Sequence, residues 1–388
     1  MTNTKKLRIG DLIVDKPIIQ GGMGVGISLS SLAGSVAAYG GIGLISTAQI
    51  GYRKEGFEKN PLNLNIEALK EELKKARNIE KVNKILDKDD KKGAVGFNIM
   101  VATKGYEMYC ETAVAHGADI IVSGAGLALD LPVYLEKGMA KREEIPDEQM
   151  YGRRERTTKI APIVSSAKSV SVILRMWDRK HKTTADAVVI EGPLAGGHLG
   201  FSLEELSYYG AMEDQKYRRD LFDEEIKKII EVVKEYEEKF AKKIPVIVAG
   251  GIYTNEDFLH ALSLGADGVQ VGTRFVTTKE CDAPEYYKDA YIAAKKEDIR
   301  ITKSPVGLPG RAIDNKFLVE VKKKRPEIKK CYQCLNKCDM TKIPYCITDA
   351  LIKAATGDTE NALLFAGSNA YRANKIETVK EVMDSICG

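Results

Sequence analysis

The chain has 388 residues, of which 44% are hydrophobic, and its 59 basic and 55 acidic side chains leave a net charge of only +4. That is enough apolar material for one large or two ordinary domains and too much for a disordered chain. The Lys-rich runs near 72–92 and 322–330 also carry acidic residues, so they read as solvated helix faces and not as a nucleic-acid surface.

The amino-terminal stretch MTNTKKLRIGDLIVDKP has no apolar run behind its basic residues, which argues against a signal peptide or membrane anchor. Apolar runs such as Ile244 to Ala249 are strand-length, far below the roughly 20 residues of a membrane-spanning helix. A cytoplasmic protein is expected. Seven cysteines, four of them between 331 and 346, argue for thiols or a metal site over a disulfide framework.

In chain order, eight short β-rich runs each precede a loop and a stretch of helical periodicity. They are Pro17 to Gln20, Gly43 to Thr47, Ala94 to Met100, Asp119 to Ser123, Ile160 to Ser165, Ala187 to Glu191, Pro245 to Ala249 and Gly268 to Val271. Runs such as Val246-Ile247-Val248 are apolar on successive residues, as strands buried on both faces require. The count predicts an α/β fold, a parallel (β/α)8 TIM barrel over residues 1–320 with insertions at about 48–92 and 201–242. Each insertion follows a strand's carboxyl end, so each is a candidate lid, substrate wall or dimer contact, or a helical cover for the rim. Past residue 300 the alternation gives way to the Gly/Pro-rich stretch SPVGLPGRAIDN, a basic helix and the cysteines, so residues 321–388 read as a helical, Cys-containing extension packed on the barrel.

Glycines gather where the strands end: Gly21, Gly22 and Gly24 after the first, Gly124 and Gly126 after the fourth, Gly196 and Gly197 after the sixth, Gly250 and Gly251 after the seventh, Gly272 after the eighth. Without a Cβ, backbone can approach a flat ring or a phosphate. In barrels the loops after strands seven and eight commonly cradle a phosphate, which makes Gly250, Gly251, Gly272 and Thr273 the phosphate candidates; tight turns needing glycine for geometry alone are the alternative. GGMGVGIS lacks the spacing of a dinucleotide fingerprint and the P-loop lysine motif is absent, so a mononucleotide such as FMN fits better. Of four histidines, His116, His181 and His260 sit ahead of strands or inside a helix, whereas His198 follows strand six at the catalytic rim. An imidazole with a pKa near neutrality there can accept or donate a proton.

PIIQGGMG, GFNIM, IEGPLAGGHLG, VIVAGGI and GADGVQVGTRF, in that order over about residues 10–320, resemble the nitronate monooxygenase (2-nitropropane dioxygenase) family and its relative, the FMN-dependent enoyl-acyl-carrier-protein reductase. The resemblance implies an FMN enzyme with His198 as the catalytic residue. It implies flavin contacts at Gly22, Met23, Asn98, Glu191, Gly196 or Gly197, Gly250, Gly251, Gln270, Val271, Gly272 and Thr273. The TRF, KEC and PGRAIDNKF segments resemble the enoyl reductases, LLFAGSNAYR resembles the glycine-containing tail near the flavin of nitronate monooxygenases, and Leu194 stands where the reductases usually carry an acid. Three functions follow as expectations: oxidation of a nitronate with oxygen to a carbonyl compound and nitrite; NAD(P)H-dependent reduction of an enoyl thioester; or a flavin-binding regulatory or scaffold subunit. The partner is a small-molecule substrate, with a homodimer through the inserted helices expected by analogy. Cys331, Cys334, Cys338 and Cys346, spaced C-x2-C-x3-C-x7-C, could wrap an iron–sulfur cluster or zinc, or stay reduced thiols.

Overall fold

The computed structural model describes residues 6–86, 91–212 and 215–388. Residues 1–5 of the basic amino-terminal stretch, 87–90 of the first expected insertion and 213–214 of the second lie outside the described residues.

The chain opens with an antiparallel hairpin, β1 (Leu7–Ile9) and β2 (Leu12–Val14), turned at Gly10. Six strands follow: β3 (Ile18–Gln20), β4 (Ile42–Ser46), β5 (Ala94–Met100), β6 (Ile120–Gly124), β7 (Lys159–Val164) and β8 (Val188–Glu191). A two-residue strand, β9 (Gly197–His198), leaves the barrel, and β10 (Val246–Ala249) and β11 (Gly268–Val271) complete it. The parallel barrel closes in the order β10-β11-β3-β4-β5-β6-β7-β8. All eight expected strands form, within a residue or two of their expected bounds.

Two apolar layers explain the uninterrupted runs. Ile19, Leu44, Val122, Val189 and Ile247 point into the barrel and meet Leu7, Ile9, Leu12 and Val14 of the hairpin, which plugs the end where the strands begin. Their neighbours Ile18, Ile45, Ile121, Ile190 and Val248 point outward onto the helices. A recurring aspartate secures that same end. Asp119, Asp186 and Asp267 each accept a hydrogen bond from an N–H at the start of the preceding barrel strand, at Val95 (3.0 Å), Ile160 (2.8 Å) and Val246 (3.1 Å). Each stands just before its own strand, so one side chain ties two neighbours in register.

The two segments expected as insertions carry regular outer helices. Pro61–Leu86 packs on helices Ser30–Ala38 and Tyr106–Ala115, and Arg219–Phe240 packs on Ala167–His181. That last helix starts at a Ser166 cap and runs to His181, taking in most of the basic stretch WDRKHKT. The Gly/Pro-rich stretch past 300 also differs from expectation. It contributes to an antiparallel hairpin, β12 (Ile299–Lys303) and β13 (Pro309–Ile313), and β13 pairs with β9. The pairing partner lies a hundred residues upstream, beyond the reach of a local pattern. Near the carboxyl end, helix Val379–Cys387 packs between Asn255–Ser263 and Ser30–Ala38, the place of an eighth outer helix. No helix of the described residues is long and apolar enough to cross a membrane.

Candidate active site

The loops at the carboxyl ends of the barrel strands enclose one cavity. Every residue expected to touch a flavin lines it: Gly22 and Met23 beyond β3, Asn98 in β5, Glu191 ending β8, Gly196 just before β9 and Gly197 in it, Gly250 and Gly251 beyond β10, and Gln270, Val271, Gly272 and Thr273 at the end of β11. His198 lines it as well, while His116, His181 and His260 do not. His116 Nδ1 lies 2.8 Å from the Gln149 carbonyl, and His260 Nε2 lies 2.9 Å from Asp223.

The glycines make the cavity possible. A Cβ on Gly22 would stand 2.3 Å from the Cβ of Asn98, an impossible contact, so only glycine lets the β3 loop lie this close against β5. Gly250 and Gly251 adopt φ of 87° and 90°, a region that suits glycine, and turn the chain sharply after β10. Gly272 precedes the short helical turn Thr273–Val276.

His198 is held from three sides. β9 pairs with β13 through His198 opposite Gly310 and Gly197 opposite Arg311. The ring meets Phe365 edge-on at 4.9 Å, and Nε2 lies 2.7 Å from Ser304 Oγ. Burial pulls its pKa down to about 4, so the imidazole is neutral at pH 7, which replaces the near-neutral pKa expected from sequence. Glu191, which lines the same cavity, is pushed up to about 7 by burial, against the opposing pull of the Gly200 N–H, which donates to Oε2 at 3.0 Å, and of Arg311. The two acid–base groups of the wall have thus been driven toward their neutral forms by the same low-polarity surroundings.

Several residues that line or brace the wall were not named individually as site residues from sequence. Arg311, buried in β13, donates to the carbonyls of Pro193 (2.9 Å), Ala195 (2.5 Å) and Ala211 (2.7 Å), clamping the loop that leads to His198. Phe365, Gly367, Ser368 and Asn369 run along the cavity: Ala366 N donates to Arg311 O, Gly367 N to Thr273 Oγ1 (3.0 Å), and Asn369 Nδ2 to Gly251 O (2.8 Å). Tyr291 donates to the Phe365 carbonyl. The LLFAGSNAYR string marked this region in sequence, whereas nothing local in SPVGLPGRAIDN ties Ser304 or Arg311 to His198.

The residues fit a flavin. Gln270 Oε1 and Ser368 Oγ are buried at the cavity with no hydrogen-bond partner, so both await a polar ligand. The glycine loops leave backbone free of Cβ atoms beside them.

Cys331, Cys334, Cys338 and Cys346 lie outside the cavity wall. Cys331 and Cys338 are exposed and Cys334 and Cys346 half-buried; among the described residues no three cysteine, histidine or acidic side chains converge on a metal geometry. Their segment lies against the loop after β5, where Lys104 N donates to Cys334 O and Asn336 N to Ala102 O. Burial raises the Cys334 thiol to about 11.

Comparison with known proteins agrees with this architecture. The profile of the nitronate monooxygenase family matches residues 6–388. A protein described as a probable nitronate monooxygenase of Staphylococcus aureus (strain Newman) is 25% identical, over 96% of each chain. Another, from strain JH9, is 30% identical over 52% of this chain and 53% of its own. Among solved structures, FabK from Thermotoga maritima superposes with a TM-score of 0.64 at 24% identity, covering 99% of this chain and 95% of that one. A nitroalkane oxidase from Streptomyces ansochromogenes does so with a TM-score of 0.65 at 19% identity, covering 96% of each. At these identities the two superpositions speak for the shared fold.

Proposed function

The chain belongs to the nitronate monooxygenase family, and from that premise we propose that it is an FMN-dependent oxidoreductase that oxidises alkyl nitronates with molecular oxygen to a carbonyl compound and nitrite. The observation that carries this reading is the convergence of the glycine loops of β3, β10 and β11 with Asn98, Glu191 and His198 on one cavity. The relatives described as probable nitronate monooxygenases support the substrate class.

FMN would supply the redox chemistry. The backbone of Gly250, Gly251, Gly272 and Thr273 would hold its phosphate, where N–H groups can face an anion without an intervening side chain. Asn98 offers an amide to the polar edge of the ring, and Gln270 and Ser368 gain the partners they lack. His198 then faces the substrate. A neutral ring next to an anionic nitronate can donate a hydrogen bond to it, and the negative charge favours the protonated imidazole, raising the pKa that burial lowers. Phe365 and the β12–β13 hairpin flank the ring and keep bulk water from it. A zinc ion or iron–sulfur cluster at Cys331, Cys334, Cys338 and Cys346 is no part of this reading, because those cysteines lie outside the cavity wall.

The test is an anaerobic absorption spectrum of the flavin-loaded protein, taken before and after a nitronate and, separately, NADH or NADPH. Bleaching of the flavin bands by nitronate is expected. Bleaching by the nicotinamide alone would replace the reading with enoyl-thioester reduction, and a flavin bleached by neither would leave a binding subunit.

A further inference from the structure

The β12–β13 hairpin ends in a tight turn whose first residue, Ser304, is 3% exposed and touches the candidate catalytic ring. Its backbone is tied on both sides, since Ser304 N donates to Leu308 O (3.3 Å) and Gly307 N donates to Ser304 O (3.1 Å). The hydroxyl therefore has a fixed origin. It accepts the Val306 N–H at 3.4 Å and lies 2.7 Å from His198 Nε2.

Hydrogen-bond accounting decides the direction of the short contact. A serine hydroxyl carries one proton and can accept two more. If Nε2 were protonated and donated to Oγ, the hydroxyl proton would need another acceptor, and among the described residues Oγ has only Val306 N and His198 Nε2 as partners. A buried donor without a partner costs roughly 1–3 kcal/mol. With the hydroxyl donating to Nε2, both members of the contact are satisfied, and the one N–H left over is on the ring that lines the cavity, where it is not among the buried atoms without a partner. A neutral imidazole that accepts at Nε2 carries its proton on Nδ1. Nδ1 has no partner among the described residues, and the ring lines the cavity.

We propose that Ser304 is a positioning residue that locks neutral His198 in the Nδ1–H tautomer, so that the ring presents a hydrogen-bond donor, and no lone pair, to the substrate. Its consequence rests on the reading that His198 faces the substrate. The ring then stabilises negative charge on a bound oxyanion from the outset and does not begin as the base that removes a proton. A nitronate arrives already deprotonated and needs a donor, whereas the neutral nitroalkane needs a base; the tautomer therefore selects for the anion.

The experiment is nitrogen NMR of the FMN-loaded protein carrying 15N-histidine. With four histidines in the chain, His198→Gln assigns the signal. The expected spectrum has a protonated Nδ1 and an unprotonated, hydrogen-bonded Nε2 for His198. In Ser304→Ala the Nε2 signal should move and the proton should redistribute between the two nitrogens, with nitronate turnover falling by about tenfold to a hundredfold, and Ser304→Thr should restore both. A proton on Nε2 in the unaltered protein, or an unmoved spectrum in Ser304→Ala, overturns the proposal, and the unaltered spectrum needs no variant to fold. If the tautomer is found as stated but His198→Gln turns over nitronate at the original rate, the lock stands and the functional reading of the ring falls.

Discussion

Replacing Arg311 by methionine removes the clamp on the loop between β8 and β9 and keeps most of the side chain's volume. The guanidinium is 3% exposed and meets three backbone carbonyls, those of Pro193, Ala195 and Ala211. Each carbonyl loses a charge-assisted bond and stays buried or half-buried, at roughly 1–3 kcal/mol per orphaned group. Methionine recovers part of this through packing, so the expected loss is about 3–5 kcal/mol. A second effect is electrostatic: Arg311 holds the Glu191 pKa down, and without it the carboxyl rises further above 7. Urea unfolding at pH 7, with the flavin-to-protein absorbance ratio after gel filtration, reads both stability and the loop's hold on the cofactor. Arg311→Lys, which keeps charge but cannot reach all three carbonyls with one ammonium, should fall between. An Arg311→Met protein within about 1 kcal/mol of the original, with its flavin retained, would refute the clamp; that range is what a surface substitution gives.

Other perturbations probe the same site. His198→Ala is expected to keep FMN while turnover drops by roughly a hundredfold or more; steady-state kinetics with a nitronate check it, and unchanged turnover removes the ring from the chemistry. Gly22→Ala, with its Cβ 2.3 Å from that of Asn98, should push the β3 loop out of place and abolish flavin retention, whereas full loading of that variant would disprove the tight approach. Glu191, held near pKa 7 in the fold, keeps its proton where the unfolded chain has lost it, so its stabilising contribution is present below the unfolded carboxylate range and is lost as pH rises through about 7. Glu191→Gln should therefore gain on the original protein between pH 5 and pH 8 in thermal melts, by at most about 3 kcal/mol, and a pH-independent difference would contradict the burial. In a thiol titration of the native protein, Cys331 and Cys338 should react first and the buried Cys110, Cys281 and Cys387 only on unfolding. Protection of all four tail cysteines, released by a chelator, would instead show them gathered on a metal.

The barrel was legible because its signals are local. Eight strands of successive apolar residues with glycine at their ends need no knowledge of what they pair with, and the same glycines marked the cavity. The devices that hold His198 were not legible, because each depends on pairing across the chain. β13 reads as a Gly/Pro stretch until its partner β9 is known, and Arg311 looks like one more basic residue until three carbonyls appear around it. Ser304 opens the Gly/Pro-rich stretch, yet nothing in that stretch points to His198; its place beside the ring follows from the turn between β12 and β13. The His198 pKa misled for the related reason that burial is a tertiary property. The long helices Pro61–Leu86 and Arg219–Phe240 resembled insertions because their polar outer faces run well past the minimal barrel length.

The late return of the chain to the barrel sets an order of events during synthesis. Phe365 to Asn369 line the cavity, and Val379–Cys387 fills the last gap in the ring of helices, so a nascent chain still short of these residues has its eight strands but an unfinished pocket. Stable cofactor capture is then expected only after residues 365–387 have emerged from the ribosome. Prematurely terminated chains would emerge unable to retain flavin, and bound flavin would serve as a marker of chains translated to that point.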